Sequence, residues 1–244
     1  MAWFFERNRV LVNYTNPVLI YGRHVARSLG ILGPLARVYR RVFAATYENS
    51  FDSEMMDTIG KGDKIWDVGA NIGFYTTKFA EAVGAGGKVV AFEPAQSTVA
   101  LLKKNCSGNP NIIYETVALS DSSTDRWFRD SKIEGDPCNG LTDVESPNAI
   151  KISVRSGDDM VADEGYPFPN AIKIDVEGFE VEVINGLKQR VLPDRRLSRL
   201  FVEVHFHELN KRGMRNAPQD IVRTLESFGF VVSWADPSHI IARR

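Results

Sequence analysis

With 244 residues the chain is long enough for one substantial α/β domain and short for two. Its 43% hydrophobic and 25% charged residues are the proportions of a soluble globular protein. Two cysteines, Cys106 and Cys138, with no metal-ligand spacing between them, argue against a disulfide scaffold and fit a reducing cytosol, so a cytoplasmic location is expected.

The formal net charge of −1 conceals an asymmetry. Residues 1–50 carry seven arginines against Glu6 and Glu48, a balance of +5, and the other 23 basic and 29 acidic residues leave the remainder at −6. From about Pro17 to Tyr47, Leu19, Ile20, Val25, Leu29, Leu35, Val38 and Val42 recur at helical spacing, with Gly30 and Gly33-Pro34 as a break. Two amphipathic helices are expected there, packed on the main domain. Their basic face, with Trp3, Phe4 and Phe5 ahead of it, offers the alternative of peripheral contact with an anionic membrane or an acidic partner. Arg23 and Arg27 interrupt the apolar run well before the roughly 20 residues a membrane span requires, and no signal-peptide cleavage site follows.

From Lys64 the chain alternates. Ile65–Val68 reads as a strand, Phe74–Val83 as a helix, Val89–Phe92 as a strand and Ser97–Asn105 as a helix. Ile112–Ala118, β-branched and aromatic, reads as a third strand. Turn residues punctuate 120–155 and leave the short segments Arg126–Arg129 and Ile150–Arg155, an antiparallel excursion of the kind that carries substrate selectivity. Ala171–Asp175 resumes as a buried strand, a helix follows through Val181, Val183, Ile184 and Leu187, and Leu200–His205 is a fifth strand. A helix over Ala217–Phe228 and a hairpin of Phe230–Trp234 with His239–Ala242, joined by Asp236-Pro-Ser, close the chain. The expected fold is α/β and Rossmann-like. It has a mostly parallel sheet finished by one antiparallel edge strand, with helices on both faces.

The run Asp67-Val-Gly-Ala-Asn-Ile-Gly73 sits where the first strand turns into the first helix. Glycines at such a turn leave backbone N–H groups open to a ligand. Glu93, at the tip of the second strand, is placed to accept hydrogen bonds from a ribose diol. The spacing Gly69-x-x-x-Gly73 lacks the middle glycine of a dinucleotide fingerprint. Asp67 would repel phosphate but suits a cation such as the ammonium of S-adenosylmethionine. Asp67, Gly69, Ala70, Asn71 and Gly73 are accordingly assigned to the methionine end and Glu93 to the ribose. Ala118 is placed near the adenine, with Ser120 or Asp121 reaching its exocyclic amine.

These motifs resemble the FkbM-type methyltransferases. The resemblance runs over Asp67-Val-Gly-Ala-Asn-Ile-Gly-Phe-Tyr-Thr, Ala91-Phe-Glu-Pro, Ile172-Lys-Ile-Asp-Val-Glu-Gly-Phe-Glu and Glu203-Val-His205, and covers roughly residues 45 to 244. It implies a class I fold with a seven-stranded sheet and S-adenosylmethionine across the first strand tips. It also implies O-methylation of a hydroxyl on a small molecule such as a sugar, glycolipid or polyketide. The alternatives are a nicotinamide-dependent oxidoreductase and a non-catalytic, adenosyl-binding partner protein. Nucleic acid is not expected as a substrate, because the domain carries −6 and phosphate backbones favour basic clefts.

The tips of the first, fourth and fifth strands face one crevice in this topology, which gathers Asp67, Asp175, Glu177, Glu203, His205 and His207. Asp175 is the foremost candidate, as a base or as the residue orienting the acceptor hydroxyl; a helix-capping role competes with it. His205 is the second proton acceptor, on the same strand face as Glu203. Lys173, flanked by buried isoleucines, is expected to pair with Asp67 or Glu177. Asp175, Glu203 and His205 together have the donor types for a divalent metal.

Overall fold

A computed structural model describes residues 51–129, 140–142, 149–163 and 166–244. The basic helices expected before Tyr47, and Cys138, lie outside these residues. Within the unit Glu54–Arg244, the strands in chain order are β1 (Lys64–Val68), β2 (Lys88–Phe92), β3 (Ile112–Glu115), β4 (Ala118–Ser120), β5 (Thr124–Arg129), β6 (Gly140–Thr142), β7 (Ala149–Ser156), β8 (Ala171–Ile174), β9 (Arg199–Glu203), β10 (Val231–Trp234) and β11 (His239–Arg243). The helices are α1 (Phe74–Val83), α2 (Gln96–Asn105), α3 (Gly157–Ala162), α4 (Glu180–Asn185), α5 (Phe206–Lys211) and α6 (Ala217–Ser227).

Seven strands form one sheet in the order β10-β11-β9-β8-β1-β2-β3, parallel except for β11. The central strands Ile-Trp-Asp-Val, Val-Val-Ala-Phe and Ala-Ile-Lys-Ile are buried along both faces, as parallel strands under helices must be. One face presents Trp66, Val68, Val90, Phe92, Ile172, Ile174, Leu200 and Val202 to Val183 and Ile184 of α4 and to Ile221 and Leu225 of α6. On the other face α1 buries Phe79, Ala80 and Val83, and α2 packs Leu102 with Ala91 and Cys106. The expected reversed strand is present one place in from the edge. The tight turn around Asp236 makes β10 and β11 antiparallel neighbours, and β11 rather than β10 docks on β9.

The third strand is shorter than its sequence pattern suggests. It leaves the main sheet after Glu115, and Ala118–Ser120 pairs instead with Val154–Ser156. That pairing belongs to a second, four-stranded sheet ordered β4-β7-β5-β6, in which β5 and β7 run antiparallel as the excursion over Arg126–Arg155 predicts. Phe128, Ile152 and Val154 alternate inward with period two and close a small core against Ala95 and Ala118. The chain order reverses between β1 and β8, so the strand tips open a crevice there, with the second sheet beside it.

Candidate active site

The bend after β1 runs through Gly69 at φ 82°, Asn71 at φ 47° and Gly73 at φ 90°. The N–H groups of Gly69 and Ala70 both donate to the Phe92 carbonyl, at 3.1 and 3.0 Å, which binds the bend to the tip of β2. A Cβ on Gly69 would lie 1.8 Å from the Asp175 carbonyl oxygen, so the backbones of the first and fourth parallel strand tips touch there. Glu93 fastens the far side. Its Oε2 accepts the Asn71 N–H at 2.9 Å and its Oε1 the Ala95 N–H at 2.8 Å.

A cleft of about 710 Å³, open mouth included, lies against this bend. Gly69, Asn71, Glu93 and Ala118 line it, as do Asp175 and Glu177 on the opposite wall and Phe128 and Leu141 from the second sheet. The Asn71 Oδ1 is buried and has no hydrogen-bond partner among the described residues. An acceptor left unsatisfied in a cleft wall is suited to a ligand donor. Of the other residues assigned to the cofactor, Ala70 and Gly73 are buried behind the bend and Asp121 is exposed; none of them lines the cleft. Asp67 is sealed beneath the bend with no exposure, where its Oδ2 accepts from the Thr76 hydroxyl at 2.6 Å.

Register explains what Asp67 holds. In the β1–β8 pair Asp67 lies opposite Lys173, so both side chains point to the α1 face, and Asp175 follows two residues on. The Lys173 Nζ is 3.6 Å from the Asp67 Oδ1, 3.1 Å from the Asp175 Oδ2 and 4.9 Å from the centre of the Tyr75 ring. Burial works against the lysine charge, yet Asp175 and Asp67 outweigh it and raise its pKa. Burial likewise pushes the Asp175 carboxyl up, while Lys173 and then His205 hold it below the usual carboxylate range. Nor is Asp175 used to cap a helix, because Phe179 occupies the N-cap of α4 and the Glu180 side chain takes the Gly178 N–H at 2.9 Å.

β9 ends at Glu203, two residues earlier than expected, and His205 is the N-cap residue of α5. The His205 ring spans the cluster. Its Nδ1 is 2.7 Å from the Glu180 Oε1, and its Nε2 is 3.4 Å from Glu177, 3.6 Å from Asp175 and 3.9 Å from Glu203. Burial opposes its proton, but Glu180, Glu177 and Glu203 raise its pKa to about 9. Burial lifts Glu177 to about 7, with His205 pulling the other way and Asp175 and Glu203 adding to the rise. Glu177 is also a non-glycine residue at φ 50°, a conformation that β-carbon sterics disfavour. Asp175, Glu203 and His205 each bring one oxygen or nitrogen within 4.8 Å of the others, so the donors considered for a divalent ion are gathered. His207 is exposed on α5, and among the described residues its acidic neighbour is Glu208, at 3.9 Å, rather than the acids of this cluster. On the far side of Glu203, His239 closes to 3.5 Å, because the two are paired across β9 and β11.

Sequence reasoning did not single out Glu180, Thr98, Phe128 or Phe179. Glu180 lay in plain view at the end of the run Lys173–Glu180, and Thr98 one turn into the helix after Glu93-Pro94.

Residues 67–232 match the family model of the methyltransferase FkbM domain. The chain belongs to that family, and membership of a methyltransferase family sets aside the nicotinamide alternative. Over 152 residues it is 33% identical to the hexuronic acid methyltransferase AglP of Haloferax volcanii, a match spanning 62% of this chain and 59% of that relative. Among solved structures, an S-adenosylmethionine-dependent O-methyltransferase of Thermotoga maritima aligns at TM-score 0.46 and 15% identity, over 81% of this chain and 64% of that one. Aeropyrum pernix fibrillarin with natively bound S-adenosylmethionine aligns at 0.44 and 13%, over 75% and 66%.

Proposed function

We propose that this FkbM-family chain transfers the methyl group of S-adenosylmethionine to a hydroxyl oxygen of a sugar-bearing acceptor, with Asp175 orienting that hydroxyl. The observation that carries the reading is the condition of Asp175. Its carboxylate reaches the cleft wall, Lys173 at 3.1 Å keeps it ionised, and helix capping makes no demand on it. The hexuronic acid named for the relative AglP supports a sugar as acceptor. A wall that carries the carboxylate oxygens of Asp175 and Glu177 also suits a polyol, whose hydroxyls are donors.

The donor-binding residues fit the group. Asn71 offers a buried acceptor, unpaired among the described residues, that would suit an ammonium; Glu93, at the second strand tip, would take the ribose, and Ala118, in the cleft wall, would border the adenine. When bound, S-adenosylmethionine supplies an electrophilic methyl carbon with a thioether leaving group. Attack by the acceptor oxygen forms a carbon–oxygen bond as the carbon–sulfur bond breaks, and one proton is released. Asp175 accepts the hydrogen bond of that hydroxyl, and Glu177, with its carboxyl near 7, is beside it to take the proton. Alignment of the reactants supplies on the order of 7–11 kcal/mol, whereas a positioned base adds roughly 10²–10⁴-fold. Holding the oxygen is therefore the larger contribution.

The test is label transfer from methyl-tritiated donor to p-nitrophenyl β-D-glucoside and p-nitrophenyl β-D-glucuronide, followed by mild alkali. Alkali-stable label, lost in Asp175→Asn, is expected. Label released by alkali would mark an ester on the sugar carboxyl and overturn the hydroxyl reading.

A further inference from the structure

We infer that Glu180 is a positioning residue for methyl transfer, fixing the ring orientation of His205 and the proton on its Nδ1 from beneath the site. The inference rests on the cleft being the methyl-transfer site.

Glu180 has no solvent exposure. A carboxylate so placed is costly unless it is paired, and among the described residues its ionic partner is His205, whose Nδ1 lies 2.7 Å from Oε1. The same oxygen accepts the Gly178 N–H at 2.9 Å, while Oε2 is buried without a hydrogen-bond partner among the described residues. A structural turn would need only the Gly178 bond, which a neutral glutamine makes equally well. The arrangement instead concentrates both donors on one oxygen of a charged group.

The consequence falls on His205. With Nδ1–H committed to Glu180, the ring cannot flip without stranding a buried charge, and Nε2 is directed at Glu177 and Asp175, both of which line the cleft. Carboxylates that orient an imidazole through one nitrogen determine which proton or lone pair the other presents. Here the other nitrogen meets the residue proposed to hold the acceptor and its neighbour. The Glu180 charge also pushes the Glu177 carboxyl up, but its direct polar contact on the side of the cleft is the His205 ring at 2.7 Å.

The test uses the full chain, its Glu180→Gln and His205→Ala variants and the double variant. Affinity for S-adenosylhomocysteine, read by calorimetry, should stay within about twofold in Glu180→Gln; absence of binding by the parent chain would sink the donor reading and not this one. Turnover of p-nitrophenyl β-D-glucoside or glucuronide should fall roughly 10²-fold in Glu180→Gln, with KM little changed. In the His205→Ala background the same substitution should cost less than threefold, because the two residues act as one unit. Equal losses in both backgrounds would overturn the inference, as would unchanged turnover in the single variant. Nitrogen-15 spectra of the His205 ring read the positioning without any acceptor. The parent chain should show a protonated, slowly exchanging Nδ1 and Glu180→Gln a shifted one. A parent ring lacking that signal would refute the inference even if the variant failed to fold.

Discussion

Replacing Lys173 by methionine nearly preserves side-chain length and bulk and deletes one charge. That charge lies 5% exposed between Asp67 at 3.6 Å and Asp175 at 3.1 Å. At an effective dielectric near 20 each contact is worth about 5 kcal/mol before desolvation, and removing one partner of a buried pair typically costs about 3–5 kcal/mol net. The lower end is expected, because Asp67 can take up a proton while it keeps Thr76, and Asp175 is 26% exposed. Urea unfolding at neutral pH should therefore show a loss of about 3 kcal/mol. The sign with pH follows. In the parent chain Asp175 titrates low and stabilises the fold above the ordinary carboxylate pKa. Without Lys173, burial raises it, and its contribution is present in acid and lost as pH rises. The deficit should widen between about pH 4 and 7, and Asp67→Asn should recover part of it in the Lys173→Met background. A loss below about 1 kcal/mol, or one flat across that range, would refute the reasoning.

Gly69→Ala should lower S-adenosylhomocysteine affinity at least tenfold and stability by about 1–3 kcal/mol, since its Cβ would fall 1.8 Å from the Asp175 carbonyl oxygen at a φ of 82°; calorimetry and thermal melting read the two effects. Glu177 at φ 50° predicts that Glu177→Gly unfolds about 1 kcal/mol later than Glu177→Ala while both lose the same turnover; equal stabilities would show the backbone unstrained. Burial opposes the His239 proton, but Asp236 at 2.6 Å and Glu203 raise its pKa to about 9. Its stabilisation should be fully present below about pH 6.5 and be lost as pH climbs through 9, on the order of 3 kcal/mol in all. His239→Asn should lower the slope in urea titrations at pH 6, 7.5 and 9.5 and leave the part that His205 contributes over the same range.

Local patterning carried much of this molecule. Phe74–Val83 is a helix to the residue, and the glycine bend, Glu93 and the acids after β8 are where alternation and spacing place them, because each depends on residues a few positions apart. Three features required the assembled fold. The chain leaves the main sheet after Glu115 because Ala118–Ser120 meets Val154–Ser156, a partner more than thirty residues on. Lys173 neutralises Asp67 because parallel register sets them side by side across β1 and β8. Glu180 holds His205 because α4 and the start of α5 converge beneath the cleft, 25 residues apart in the chain. Strand and helix propensities are properties of neighbours along the backbone. Pairing register and the company a buried charge keeps are set only when distant segments exclude water together.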